Sequence, residues 1–286
     1  DGAPAVDGVY APPSTASLKA AFSRASTPLD DPRIARWNTM VQAGEYASLI
    51  RETEADLRSN SPHPYAEHVW STAQWGLGAL GDGVFPAYPS DLADTLEYAA
   101  RAFAYERLGQ NGLLAQMGQG SLARPAVSYW ADYEIAYGVC GVAQNQLCRD
   151  LSLRLLQAYP NDFGVAWLTG SYAEDGRADL LAKVSALPEN AGRALTSWML
   201  KNNVYTYSES RAISRAWLDH VPNDPHALRR YAYQFESQDI HAEALKLFQA
   251  EHAAYPLRDA PERVARAKAR LRDFSGAFQT LNAWIS

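Results

Sequence analysis

Prolines recur at a fixed interval along this chain of 286 residues. The interval is 34 residues from Pro28 to Pro62, from Pro188 to Pro222 and from Pro222 to Pro256. Proline cannot continue the backbone hydrogen-bond ladder of a helix, so each one is expected to end one helix and precede the next. A period between 20 and 50 residues is the sequence signature of a repeat architecture. Other proline spacings are 35 residues (Pro125 to Pro160) and 28 residues (Pro160 to Pro188), so the interval suggests an all-α repeat architecture and the side-chain pattern must decide.

The side-chain pattern of residues 225–256 supports a helical repeat. Its first half contains Leu228, Tyr231, Ala232 and Phe235, and its second half contains Ala244, Phe248 and Pro256. This arrangement resembles a tetratricopeptide (TPR) repeat, in which small residues lie where the two helices of a hairpin approach closely. The resemblance implies an α-solenoid of about six or seven TPR-like hairpins in a right-handed superhelical array, with a concave groove.

The composition divides the chain into two parts. Residues 1–31 contain four prolines, seven alanines and four serines, which predicts an extended or poorly ordered N-terminal tail with one short helix near Leu18–Ser26. Residues 32–286 are expected to form the solenoid. Within it, residues 76–124 depart from the repeat and contain eight of the 18 glycines. We expect an irregular insertion there, with a helix at Ser90–Leu108 between long, glycine-rich connections.

Overall charge limits the classes of partner. The net charge of −6 and the pI of about 5.5 argue against nucleic-acid binding. No stretch of 18 uninterrupted apolar residues is present, so no transmembrane segment is expected. The chain begins Asp1-Gly2-Ala3-Pro4, which together with the low charge content predicts a mature bacterial protein after removal of a signal peptide, located in the periplasm or secreted.

The two cysteines are Cys140 and Cys148. In one straight helix they would lie about 12 Å apart along the axis, too far for a disulfide. A turn at Gly141 would instead place them on facing helices and permit a bond, so both a disulfide and a pair of free thiols are compatible with the sequence. No histidine lies within 70 residues of either cysteine, and no metal or other cofactor is expected.

The resemblance implies that residues on the first helix of each hairpin line the groove. In the clearest repeat and the one after it, the peptide-binding candidates are His226, Arg229, Tyr233, Glu236, Arg263, Arg266 and Arg270. Residues 258–272 hold six basic residues and two acidic ones, a pattern compatible both with a solvated outer face and with a groove for an acidic ligand. We therefore expect a non-catalytic scaffold or adaptor that binds a protein or peptide. Self-association through the C-terminal basic helix is a further hypothesis.

An enzymatic alternative starts from the aromatic residues, which number 8 Trp, 16 Tyr and 8 Phe. Glycan-active helical proteins line a cleft with aromatic side chains and two carboxylates. The candidates for such a cleft are Trp75, Trp130, Asp132 and Glu134, within the stretch that ends at Tyr137. Asp132 and Glu134 are two residues apart on a predicted helix and would point in different directions.

Overall fold

A computed structural model of the protein describes residues 16–80, 85–143, 145–171, 176–202, 207–255 and 260–285. The fold is all-α, as predicted; these residues form sixteen α-helices and one 3-10 turn (Pro28–Asp30), and no strand. The helices are α1 Ala16–Phe22, α2 Pro32–Gln42, α3 Tyr46–Leu57, α4 Ala66–Gly76, α5 Ala93–Arg107, α6 Asn111–Ala123, α7 Tyr129–Val142, α8 Gln146–Ala158, α9 Phe163–Ser171, α10 Arg177–Ser185, α11 Ala191–Asn202, α12 Tyr207–Leu218, α13 Pro225–Glu236, α14 His241–Ala254, α15 Ala260–Arg270 and α16 Phe274–Ile285.

Aspartates after prolines begin several of these helices. Asp162 precedes α9, and its carboxylate accepts a hydrogen bond from the backbone N–H of Val165 at 2.9 Å. Asp224 precedes α13 and accepts from the N–H groups of His226 and Ala227, each at 3.0 Å. A carboxylate at this position satisfies N–H groups that have no partner within the helix. The sequence Pro-Asn-Asp, which occurs at residues 160–162 and 222–224, therefore marks the beginning of a helix.

Helices adjacent in the sequence pack against each other along most of the chain, and α5–α7, α6–α8 and α9–α11 pack in addition. Other contacts join distant parts. The side chain of Asn38 on α2 donates to the carbonyl of Ala254 at 3.3 Å, and the ring of Tyr255 packs against Tyr65 and Trp130. In a solenoid, each repeat contacts only its neighbours. The contacts of Asn38 and Tyr255 therefore join segments that an open one-dimensional array would keep apart.

The short helix expected within the N-terminal tail is present as α1, but it packs against the rest of the chain and is not part of an extended segment. Leu18 and Phe22 on α1 are 3% and 0% exposed, and α1 packs against α11 and α12. The Phe22 ring meets Trp217 edge-on, with the ring centroids 4.9 Å apart. Burial of these two apolar side chains outweighs the tail-like composition around them. Residues 1–15 lie outside the described residues.

The predicted glycine-rich insertion at 76–124 is largely helical. It contains α5 and α6, and α5 packs against α4, α6 and α7. Gly76 ends α4 where a Cβ atom would meet the ring of Tyr46 at 2.7 Å, so a close helix approach requires glycine there. The irregular part is confined to the connection between α4 and α5, of which residues 81–84 lie outside the described residues.

Candidate functional site

A pocket with aromatic walls lies between α7, α9 and α13. It has a volume of about 340 Å³. Its aromatic lining residues are Tyr133 and Tyr137 on α7, Phe163 and Trp167 on α9, and Tyr233 on α13. We call this cavity the aromatic pocket. Its volume lies in the range of small-ligand sites.

The floor of the aromatic pocket is a close contact between two helix beginnings. A Cβ atom on Gly164 would lie 2.7 Å from the imidazole of His226, so only glycine permits α9 and α13 to approach this closely. The imidazole lies 5.1 Å from the ring of Tyr133, measured between centroids. The three helices are therefore fixed to one another at the base of the pocket.

Two arginines also line the aromatic pocket. Arg229 donates through Nε to Glu251 at 2.6 Å, and the guanidinium carbon of Arg230 lies 4.3 Å from the centroid of the Trp167 ring. Glu251 is fully buried and also accepts from Arg263 at 2.7 and 3.0 Å. This charge cluster joins α13, α14 and α15, and it holds Arg229 in one orientation.

A second cavity of about 460 Å³ adjoins the first, and Arg230 and Tyr233 line both. The further lining residues include Glu236, Arg266 and Arg270. Arg266 donates to Glu236 through two nitrogens, at 3.0 and 3.1 Å. We call this second space the arginine cavity, and the two cavities together the groove.

Six of the seven peptide-binding candidates line the groove. His226, Arg229 and Tyr233 line the aromatic pocket, whereas Glu236, Arg266 and Arg270 line the arginine cavity. The seventh candidate, Arg263, is 3% exposed and bonded to Glu251. Arg263 therefore lies in the core behind the groove, where it neutralises the buried carboxylate of Glu251.

Sequence reasoning did not assign Tyr133, Tyr137, Trp167 and Arg230 to this groove. Tyr133 and Tyr137 are four residues apart, and their rings stack at 11° with centroids 6.4 Å apart. Such spacing marks one helix face and could have identified them as a pair. That they face Arg230 depends on how three helices pack together, which the sequence does not display.

The residues of the alternative glycan cleft are mostly in the core. Trp130, Asp132 and Glu134 are 2%, 2% and 1% exposed, and Trp75 packs half-buried against Phe103. Their side chains consequently do not form an accessible aromatic surface.

Asp132 has structural partners. It accepts from the hydroxyls of Tyr98 and Ser121 and from the backbone N–H of Ser128 at 2.8 Å. The Ser128 hydroxyl in turn donates to Glu67, whose pKa burial raises to about 7. These bonds tie α4, α5 and α6 to the beginning of α7.

The two aspartates that begin α9 and α13 lie beneath the aromatic pocket. Asp162 and Asp224 are 4% and 1% exposed. Burial raises the pKa of Asp162 to about 6, and burial together with the nearby charge of Asp162 raises the pKa of Asp224 to about 8. Tyr129 donates to Asp162 at 2.6 Å, and Trp217 donates to Asp224 at 3.0 Å.

Cys140 and Cys148 form a disulfide with their Cα atoms 4.9 Å apart. The bond joins two successive helices, as the helix–turn–helix alternative required, but the predicted turn at Gly141 is wrong because α7 continues through Gly141 to Val142. The bond lies one turn beyond Tyr137 and fixes the end of α7 that carries this wall of the aromatic pocket.

Comparison with known proteins found no family model that matches the chain, and no curated protein or solved structure similar to it. Within the described residues, none of the helices has the length and apolar character needed to span a membrane. The same residues contain no group of three histidine, cysteine or acidic side chains placed to hold a metal ion.

Proposed function

We propose that this chain is a non-catalytic scaffold or adaptor that binds an acidic segment of a protein or peptide in the groove. The observation that carries the proposal is the lining of the groove, which combines four arginines with a single glutamate beside aromatic walls. Arginine, tyrosine and tryptophan dominate the binding energy of protein interfaces. The positive lining complements a negatively charged segment.

A repeat origin of the groove is part of the proposal. Ala232, Ala244 and Phe248, which the TPR resemblance places at helix contacts, are each 0% exposed and form one cluster with Val264 and Ala267. Helices α13 to α16 pack in sequence order, as two successive hairpins would. These features support a TPR-like unit that presents α13 and α15 to the groove.

We also propose that the protein works in the periplasm or outside the cell. The supporting observation is the disulfide between Cys140 and Cys148, since such bonds persist in oxidising compartments.

A library of defined peptides, amidated at their C-termini and varied in acidic and aromatic content, tests the function by fluorescence anisotropy. We expect acidic peptides to bind, with an affinity that falls as salt rises. Arg270→Glu reverses an exposed charge of the arginine cavity and should weaken binding at least tenfold. Arg215→Glu is the matched control, because Arg215 lies on α12 with its side chain 67% exposed.

Two results would overturn the proposal. One is equal binding of acidic and neutral peptides by the unaltered protein. The other is an equal effect of the substitutions at Arg270 and Arg215 on the affinity for the best acidic peptide.

A further inference from the structure

We propose that the aromatic pocket binds an aromatic ring with a carboxylate next to it. This inference rests on the proposed function, because it names the chemical group that one end of the groove holds. The ring and the carboxylate can belong to a free small acid or to adjacent aromatic and acidic residues within a peptide. Both sources offer the same chemistry to the pocket.

The walls of the aromatic pocket suit a flat apolar group. Tyr133 and Tyr137 present a stacked pair of rings from α7. On α9, Phe163 stacks on Trp167 at 23° with the centroids 5.5 Å apart; Phe163 is only 1% exposed, so it supports the half-buried Trp167 from the core. Aromatic rings favour offset-stacked or edge-to-face neighbours, so the accessible rings of Tyr137 and Trp167 suit a further ring in the pocket. Tyr137 is 44% exposed, which leaves its ring accessible to an incoming group.

The charges of the aromatic pocket select an anion. Its described lining contains Arg229 and Arg230 and no acidic residue. Glu251 lies behind Arg229 with no exposed surface, so it fixes the guanidinium and does not occupy the pocket. Arginine in a fixed orientation suits a carboxylate, because its planar group donates two parallel hydrogen bonds.

The aromatic walls and the arginines of the pocket lie close enough to contact one ligand. The guanidinium of Arg230 is 4.3 Å from the centroid of the Trp167 ring, so the anion-binding group is adjacent to an aromatic wall. A space of about 340 Å³ accommodates a ring with a short acidic substituent. The close contact of Gly164 with His226 keeps the floor rigid, which reduces the entropy lost on binding.

Isothermal titration with three small probes tests which chemistry the pocket needs. N-acetyl-tryptophan carries both the ring and the carboxylate, its primary amide lacks the carboxylate, and N-acetyl-cyclohexylalanine lacks the aromatic ring. We expect the first probe to bind at least tenfold more tightly than either of the others. Equal binding of all three, or no binding of any, would refute the proposal.

Two variants locate the bound probe. Tyr137→Ala and Arg230→Gln should each weaken binding of N-acetyl-tryptophan at least tenfold, and thermal melting monitored by circular dichroism checks that both variants fold. Phe278→Ala is the control, since Phe278 lies on α16 and is 65% exposed. Wild-type affinity in Tyr137→Ala would exclude this pocket as the site.

A blocked peptide with an internal Trp-Glu pair separates the two sources. Binding at least tenfold tighter than N-acetyl-tryptophan assigns the pocket to a peptide, and the reverse order assigns it to a free acid. If acidic peptides bind in an Arg270-dependent manner while N-acetyl-tryptophan does not bind, only this inference fails. If N-acetyl-tryptophan binds and acidic peptides do not, the proposed function fails and the inference about the pocket stands.

Discussion

The substitution Asp224→Asn should remove a pH dependence of stability that arises beneath the aromatic pocket. With pKa values of about 6 for Asp162 and about 8 for Asp224, the folded pair retains one proton between pH 6 and 8. In the unfolded chain both carboxyls have a pKa of about 3.9 and are ionised in this range. The folded state therefore binds one more proton there than the unfolded state does.

This excess proton sets the sign and size of the effect. Both folded pKa values are raised, so the contribution to stability is complete below pH 4 and is lost as the pH rises through 6 and then 8. One excess proton lowers the free energy of unfolding by about 1.4 kcal/mol per pH unit. From pH 6 to 8 the loss is about 3 kcal/mol.

Other buried groups titrate in the same pH range, so the pH dependence of stability must be compared between the unaltered protein and the variant. Burial raises the pKa of Glu67 to about 7, which adds a slope of the same sign, whereas burial lowers the pKa of His63 and of His252, which acts in the opposite direction. Both contributions are common to the unaltered protein and to Asp224→Asn. They cancel in the difference of the two slopes.

The assay is urea unfolding followed by circular dichroism at half-unit steps from pH 6.5 to 8. In Asp224→Asn the amide oxygen still accepts the two backbone N–H groups of α13, while Trp217 loses its acceptor, at a pH-independent cost of about 1–3 kcal/mol. Because Asp224 is about half ionised at pH 8, we expect the slope averaged over this range to become less steep by about 1 kcal/mol per pH unit. Asp179→Asn, which alters an exposed carboxylate on α10, should keep the original slope. Equal slopes for Asp224→Asn and the unaltered protein would refute the reasoning.

Three further predictions concern stability and are checked by urea unfolding at fixed pH. Replacing Cys140 and Cys148 by serine opens a loop with a sequence separation of 8 and should lower the free energy of unfolding by about 2–3 kcal/mol; unchanged unfolding after chemical reduction of the native protein would contradict this. Gly164→Ala forces a Cβ atom against an imidazole and should cost about 1–3 kcal/mol, whereas Gly120→Ala on α6, with open space around it, should stabilise by about 0.5–1 kcal/mol. Phe22→Ala should cost about 3–5 kcal/mol, and a loss below 1 kcal/mol would contradict the packing of α1.

Local features of the fold could be predicted from the sequence because their causes are local. The Pro-Asn-Asp sequences mark helix beginnings since proline ends one helix and the aspartate carboxylate caps the next. Ala232, Ala244 and Phe248 were expected at a helix contact, and each is fully buried. In these cases the residues that decide the structure lie within one hairpin.

Contacts between distant helices could not be predicted in this way. The packing of Tyr255 against Tyr65 and Trp130 depends on the angles between many successive helices, from α4 to α14. A small change in each of these angles would move the end of α14 away from α4 and α7. The position of α1 is a similar case, because the sequence marks a short helix near Leu18–Ser26 but does not show that this helix packs against α11 and α12.

The candidate site lies between these two cases. Arg229 and Tyr233 were expected in a groove from the resemblance to a TPR repeat, whereas Tyr133 and Tyr137 were assigned to the stretch of the hypothetical glycan cleft. Along α7, Tyr129, Tyr133 and Tyr137 are 1%, 6% and 44% exposed and stack in succession. One aromatic stripe thus begins in the core and ends in the wall of the pocket. A single row of aromatic residues at helical spacing can therefore supply both core and binding surface, because its buried part holds its exposed end in place.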